Sequence, residues 1–167
     1  MFDILFIRHD KLTQVLLDEI IKVKSTAWPY NYKEQCEWIK DNLKNSDIHV
    51  LLLDGKKVLA YLNLIEIEVN VDSVELDGFG VGNVCAIEKG KGWGKELITH
   101  VNKYLSENDK VGLLFCKDKL VKFYRENEWK ITCNDQLILS NITSEVNTFV
   151  YNISKEFKQI EFNGIIF

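Results

Sequence analysis

Several large classes of protein are excluded by what this chain lacks. Its four cysteines, Cys36, Cys85, Cys116 and Cys133, are widely spaced and form no CxxC pair, which argues against a zinc site or a redox dithiol. Three of them sit in apolar, strand-like surroundings and are expected to be buried, reduced thiols. There is no excess of positive charge: 21 Lys and Arg against 25 Asp and Glu give a formal net charge of −4, so neither nucleic acid nor an anionic membrane is an expected partner. No apolar run is long enough to span a bilayer. Residues 1–10 carry Asp3, Arg8 and Asp10 among apolar neighbours rather than the basic-then-apolar layout of a secretory signal, and cytoplasmic residence is the expectation. Asn141-Ile-Thr143 and Asn152-Ile-Ser154 then read as chance matches to the glycosylation pattern.

What is present is a chain of 167 residues, 46% hydrophobic and without repeat, low-complexity tract or linker. That is enough for one globular domain, residues 1–167, with a real core. Residues 2–8 read as a strand. Leu12, Val15, Leu16, Ile20 and Val23 then fall at helical spacing over residues 11–25. Trp28-Pro29-Tyr30-Asn31-Tyr32 contains the only proline and breaks the pattern. A second helix is predicted over residues 33–44, with Cys36, Ile39 and Leu43 on one stripe. Strands follow over 49–54 and 57–69, joined by an Asp54-Gly55 hairpin signal.

Residues 72–78 look polar and turn-like, and 79–87 resume as a strand. Trp93, Leu97, Val101 and Leu105, with Ile98 and Tyr104 beside them, give a helix over 91–106 one broad apolar face; Lys95, Glu96, Thr99, Asn102 and Lys103 form the opposite one. A strand over 111–116, a short helix over 117–127, and strands over 129–133 and 147–153 complete the pattern, with 160–167 extended. The order β-α-α-β-β-β-α-β-α-β-β is mixed α+β, with helices expected on both faces of one sheet.

The most informative stretch is Lys89-Gly90-Lys91-Gly92-Trp93-Gly94-Lys95, a turn between a strand and a helix. Its glycines allow positive φ and close approach of a ligand, and the first N–H groups of the following helix point outward at an anion. It is not a Walker loop, because Lys89 replaces the first glycine and Glu96 the hydroxyl residue. Nor is it a dinucleotide fingerprint, because Gly78, Gly80 and Gly82, like Gly90, Gly92 and Gly94, run at a two-residue step.

The turn resembles the coenzyme A site of the GNAT acetyltransferase superfamily, whose pattern is Arg/Gln-x-x-Gly-x-Gly/Ala. A second segment, Phe123-Tyr124-Arg125-Glu126-Asn127-Glu128-Trp129, is similar to that superfamily's "Phe-Tyr then Gly-Phe/Trp" piece, and the likeness extends over most of the chain. It implies a GNAT-like, mostly antiparallel sheet flanked by helices and acetyl-CoA as co-substrate. Coenzyme contacts are then expected from the backbones of Val84 and Ala86 and from Lys89, Gly90, Lys91, Gly92, Trp93, Gly94 and Lys95. Lys89 departs from the usual arginine or glutamine and offers a point charge in place of a planar fork, so weaker or differently oriented pyrophosphate contact is expected.

The resemblance further implies that an acceptor amine attacks the acetyl carbonyl directly. Tyr124 is expected to protonate the departing thiolate, with packing in the core as the alternative. For the base, Asp77 is the leading candidate, with Glu75, Glu66 and Glu68 behind it. Cys85 and Cys116 lack a neighbouring histidine in sequence and are expected only to pack.

A weaker likeness is to aminoglycoside 2'-N-acetyltransferases. It rests on the late strand Val150-Tyr-Asn-Ile-Ser154 and the tail Gly164-Ile165-Ile166-Phe167. Ile165 and Ile166 stand where those enzymes carry acids, which leaves the Phe167 carboxylate, Glu145 or Glu161 to meet a cation. Trp28, Tyr30, Tyr32 and Trp38 suit an aromatic wall for an acceptor or simple helix packing. The expected partner is a small-molecule amine such as an aminoglycoside or polyamine, with no nucleic acid and no membrane; a homodimer is possible. The alternatives are a coenzyme-A-binding module without turnover and a protein N-acetyltransferase.

Overall fold

Apolar spacing and cap chemistry together place the first helices. The computed structural model describes residues 2–142, 146–153 and 155–167. Strand β1 (Asp3–Arg8) is followed by α1 (Gln14–Ala27), whose cap is Thr13, its hydroxyl accepting from Leu16 N–H. Next comes α2 (Tyr32–Asn42), opened by a capping box in which the Asn31 side chain accepts from Glu34 N–H and Glu34 accepts from Asn31 N–H, both at 3.0 Å. These paired bonds satisfy two donors the helix itself cannot. Both helices start about where a cap is available, which shifts α1 a few residues C-terminal to its apolar spacing.

Strands β2 (Ile48–Asp54), β3 (Lys57–Val71) and β4 (Val74–Ala86) come next, then α3 (Trp93–Glu107) and β5 (Val111–Cys116). Helix α4 (Val121–Glu126), short strands β6 (Lys130–Ile131) and β7 (Leu137–Leu139), β8 (Asn147–Tyr151) and β9 (Ile160–Phe162) complete the chain. The sheet is mixed and mostly antiparallel, as the sequence predicts.

The chain divides into two compact units, Met1–Ile65 with Gly82–His100, and Glu66–Val81 with Val101–Phe167. In the first, β1 pairs with β2, β2 with β3 and β3 with β4. Residues 58–64 of β3 are buried without interruption, the signature of a strand covered on both faces. Opposed pairs Leu5↔Leu51 and Leu51↔Tyr61 share one face. There Leu51, Tyr61 and Cys85 pack against Ile20, Ile21 and Val23 of α1 and Ile39 of α2.

In the second unit β4 meets β5 in a short parallel ladder, Gly78↔Val111, Phe79↔Gly112 and Gly80↔Leu113. Strand β8 pairs antiparallel with β5 and β6, and β9 with β3. A Cβ at Gly80 would lie 2.4 Å from the Phe167 ring, so glycine there admits the C-terminal aromatic. Phe167 packs on Phe115 and Phe162.

Four expectations are corrected. Residues 72–78 are not a loop: Asp72 and Ser73 alone make the turn, both at positive φ (49° and 69°), as a tight two-residue hairpin demands. Val74 onward is strand. Of the cysteines only Cys85 and Cys116 are buried, while Cys133 is exposed and Cys36 half-buried, because β6 ends before Cys133 can pack. The extended tail keeps strand pairing only at Ile160–Phe162. Asn102, placed on the polar face of α3, is buried. Its Nδ2 donates to Asn127 O and its Oδ1 accepts from Trp129 Nε1, at 2.9 and 2.8 Å. Among the described residues no helix is long and apolar enough to cross a membrane.

Candidate functional site

The turn after β4 adopts the conformation its glycines allow. Gly90 and Gly92 both sit at φ 79°, and a Cβ on either would meet no atom within 4 Å. Open space beside a left-handed backbone is where a ligand can lie against the chain. The first helical bond of α3 runs from Glu96 N–H to Gly92 O at 3.0 Å. The N–H groups of Trp93, Gly94 and Lys95 therefore have no acceptor inside the helix, and the positive end of its dipole adds to them. Lys89, Lys91 and Lys95 are exposed around the turn, with Lys91 3.6 Å from Glu88. Leu97, Ile98, Val101 and Leu105 are buried to 0% exposure and fix the helix behind this turn.

Ile87 N–H donates to Leu59 O on β3. Backbone groups alternate in direction along a strand, so Val84 and Ala86 aim theirs away from β3, as coenzyme pairing would require. Ala86 O also accepts from the Thr26 hydroxyl at 3.0 Å, which ties α1 to the end of the motif strand. The sequence carries no separate signal for this bond. The residues from Val84 to Lys95 thus come together in the first unit.

The two catalytic candidates lie in the second unit. Tyr124, 4% exposed, is packed by Phe123, Phe149 and Trp129 at ring-centroid distances of 5.0, 5.8 and 6.4 Å. Burial, reinforced by Cys116, holds its phenol well above the usual range. Glu128, in the place of the glycine of the resembling motif, adopts φ 70°, so the chain keeps the turn with a residue that fits it poorly. Asp77 is exposed and ion-paired to Lys110 at 3.0 Å. It lines a cavity of about 750 Å³ with Glu75, Asp72, Asp109 and Glu156.

The aromatic cluster divides. Trp28 and Trp38 pack on the α1–α2 core, whereas Tyr30 and Tyr32 are exposed. The Tyr32 hydroxyl donates to Asp18 at 2.7 Å, and Gln14 donates to the same oxygen at 2.8 Å. These bonds lower the Asp18 pKa, and the same contact raises that of Tyr32 to about 12. Both residues line an open cavity of about 560 Å³.

Polar groups that sequence spacing did not single out are buried in the first unit. His49 Nε2 lies 3.0 Å from His9 Nδ1 and its Nδ1 lies 2.9 Å from the Tyr61 hydroxyl. Burial, with His9 and Lys24 nearby, pulls the His49 pKa to about 3. Lys24 is 2% exposed, with its ammonium 3.9 Å from the Trp38 ring centroid. Cys85 and Cys116 are pushed by burial to about 12 and about 11, which leaves them protonated and poor nucleophiles. Glu145 lies outside the described residues. Among those described, no cluster of His, Cys, Asp and Glu could hold a metal ion.

No protein-family model and no curated protein sequence matches the chain. Solved structures do. YhbS, a GNAT family N-acetyltransferase from Escherichia coli in complex with CoA, superposes with a TM-score of 0.67 at 13% identity over 98% of this chain and 91% of that one. An acyl-CoA N-acyltransferase from Pseudomonas aeruginosa gives 0.64 at 15% identity over 89% and 99%. An aminoglycoside 6'-N-acetyltransferase complexed with coenzyme A gives 0.63 at 12% identity over 91% and 99%. The order of elements, the short β4–β5 ladder and the glycine turn opening α3 are thus set in a chain that has the fold of the GNAT N-acetyltransferases.

Proposed function

We propose that the chain is an acetyl-CoA-dependent N-acetyltransferase acting on a small amine. The observation that carries this reading is the turn itself: two left-handed glycines with open space beside them, followed by helix N–H groups without acceptors. That geometry suits a pyrophosphate. Coenzyme A is the diphosphate ligand named for two of the similar structures.

In this reading the pyrophosphate rests on Gly90, Gly92, Trp93 and Gly94, with Lys89, Lys91 and Lys95 balancing its charge. The pantetheine arm pairs along the backbone of Val84 and Ala86, the Ala86 carbonyl being one that also accepts from the Thr26 hydroxyl. The acceptor nitrogen, once deprotonated, attacks the acetyl carbonyl; the C–N bond forms, the C–S bond breaks, and its electron pair leaves on sulfur. Tyr124 is the proposed acid for the departing thiolate: its phenol carries its proton at neutral pH, although burial, which disfavours the phenolate, works against giving it up. Asp77 is the proposed base, with Lys110 as the ion-pair partner that an incoming ammonium must displace.

Asp18, which accepts from the Tyr32 hydroxyl at the edge of an open cavity, supports a cationic acceptor of the aminoglycoside or polyamine kind. Thiol release from acetyl-CoA, measured with a panel of aminoglycosides, polyamines and peptide N-termini, tests the proposal. Acceptor-dependent thiol with a small amine is expected. Tight coenzyme binding with no acceptor-dependent thiol favours a binding module without turnover, and absence of coenzyme binding defeats both readings.

A further inference from the structure

Thr26 stands in the last turn of α1, a helix seated in the core through Ile20, Ile21 and Val23. The residue is exposed, and its hydroxyl lies 3.0 Å from Ala86 O. A carbonyl oxygen only accepts, so Thr26 is the donor. The same hydroxyl lies 2.7 Å from Val23 O, one turn back in its own helix, so a single proton is shared between a carbonyl of α1 and one of β4. The contact with Val23, a usual one for threonine in a helix, fixes the rotamer that faces the strand.

Ala86 O belongs to the same peptide group as Ile87 N–H, which donates to Leu59 O at 2.9 Å. A trans peptide points these two atoms in opposite directions. The group is therefore gripped from both ends, by β3 on one side and by α1 on the other. Strand β4 ends at Ala86, and the glycine turn follows from Lys89. Among the described residues β4 pairs with β5 only as far as Gly80, so no strand lies along the outer edge of Val84 and Ala86. The Thr26 hydroxyl is a protein group that does meet that edge.

We infer that Thr26 is a positioning residue for the coenzyme: its hydroxyl holds the Ala86–Ile87 peptide in the orientation in which the Ala86 carbonyl receives an amide N–H of the pantetheine arm. This rests on the coenzyme reading above. A carbonyl oxygen has two lone pairs, so it accepts from Thr26 and from the ligand together. The arm meets an acceptor that is already oriented, and binding does not have to order a loose strand end. Preorganisation of this kind lowers the cost of binding without adding a contact to the ligand. In this role Thr26 touches neither the acetyl carbonyl nor the sulfur, so its effect falls on affinity and not on the chemical step.

The test measures acetyl-CoA affinity by calorimetry on the full chain. Thr26→Val keeps the branched shape and loses the hydroxyl; Thr26→Ser keeps the hydroxyl and loses the methyl. Because Thr26 is exposed, water takes over the carbonyl left by Thr26→Val, and the urea midpoint is expected to stay at the wild-type value. The Kd of Thr26→Val is expected to rise about three- to tenfold, the worth of one hydrogen bond, and Thr26→Ser is expected to keep the wild-type Kd. Hydrogen exchange of the Ile87 amide, on the gripped peptide, should be faster in ligand-free Thr26→Val than in the ligand-free wild type, and should return to the wild-type rate with acetyl-CoA bound. A Kd for Thr26→Val at or below the wild-type value, a rise in Thr26→Ser as large as in Thr26→Val, or Ile87 exchange that Thr26→Val leaves unchanged overturns the role of the hydroxyl and leaves the coenzyme site standing. A wild type that binds no acetyl-CoA overturns the coenzyme reading itself.

Discussion

Gly92→Ala is the perturbation that isolates the turn most cleanly. Gly92 sits at φ 79°, and a Cβ there would touch nothing. The folded protein therefore loses only the left-handed conformation, about 1–2 kcal/mol for an L-residue, less roughly 0.4–1 kcal/mol recovered from a stiffer unfolded chain. The net loss of stability is about 1 kcal/mol. Coenzyme binding should suffer far more, because the methyl enters the open space where the pyrophosphate is proposed to lie. Moving a phosphate off one helix N–H forfeits a charge-assisted bond worth about 1.5–3 kcal/mol. A loss of about 1.5–3 kcal/mol raises the Kd for acetyl-CoA roughly 10- to 150-fold. Gly55→Ala is a matched control: Gly55 is also left-handed, at φ 59°, with nothing within 4 Å of its Cβ position, but it lies in the β2–β3 turn. Urea unfolding should give similar losses for the two variants, while calorimetry with acetyl-CoA should separate them. Equal affinities for the two variants would refute the placement of the pyrophosphate.

Tyr124→Phe should lower kcat by roughly 10²-fold, within the usual range for acid assistance, without changing the Kd for acetyl-CoA; unchanged turnover would return Tyr124 to a packing role. Glu128→Gly should raise the free energy of unfolding by about 1 kcal/mol, because Glu128 holds φ 70° at the cost of a left-handed L-residue, and a fall in the urea midpoint would contradict this. Lys24 has its pKa pulled by burial from 10.5 to about 8. Between those pH values the unfolded chain binds the proton that the folded chain has released, so stability should rise with pH across that window and carry the full penalty below it. The shift is equivalent to roughly 3 kcal/mol, partly offset by the Trp38 contact. Lys24→Met should thus stabilise the protein by on the order of 1–2 kcal/mol at pH 7 and flatten unfolding curves measured between pH 8 and 10.5.

Sequence alone was enough for features governed by local rules. Periodicity located the helices and most strands, because an apolar stripe has to find a core. The glycine turn was legible because left-handed backbone followed by open helix N–H groups is written in residue type and spacing. The Phe123 to Trp129 segment resembles the superfamily's piece even with Glu128 in the glycine's place, and Glu128 holds the left-handed backbone, φ 70°, that a glycine adopts without cost.

What only the tertiary structure decided depends on pairing between distant strands and on burial. Asp72 and Ser73 became a two-residue turn because Val74 onward found β3 as a partner. Asn102 left the solvent face of its helix because Trp129 and Asn127 meet it there. Thr26 and Ala86, 60 residues apart, met only through the packing of α1 on the sheet, and which carbonyl a hydroxyl reaches is a property of everything around it. Local spacing can specify a backbone's shape, but the free energy of a buried polar group is set by neighbours that the order of residues does not name.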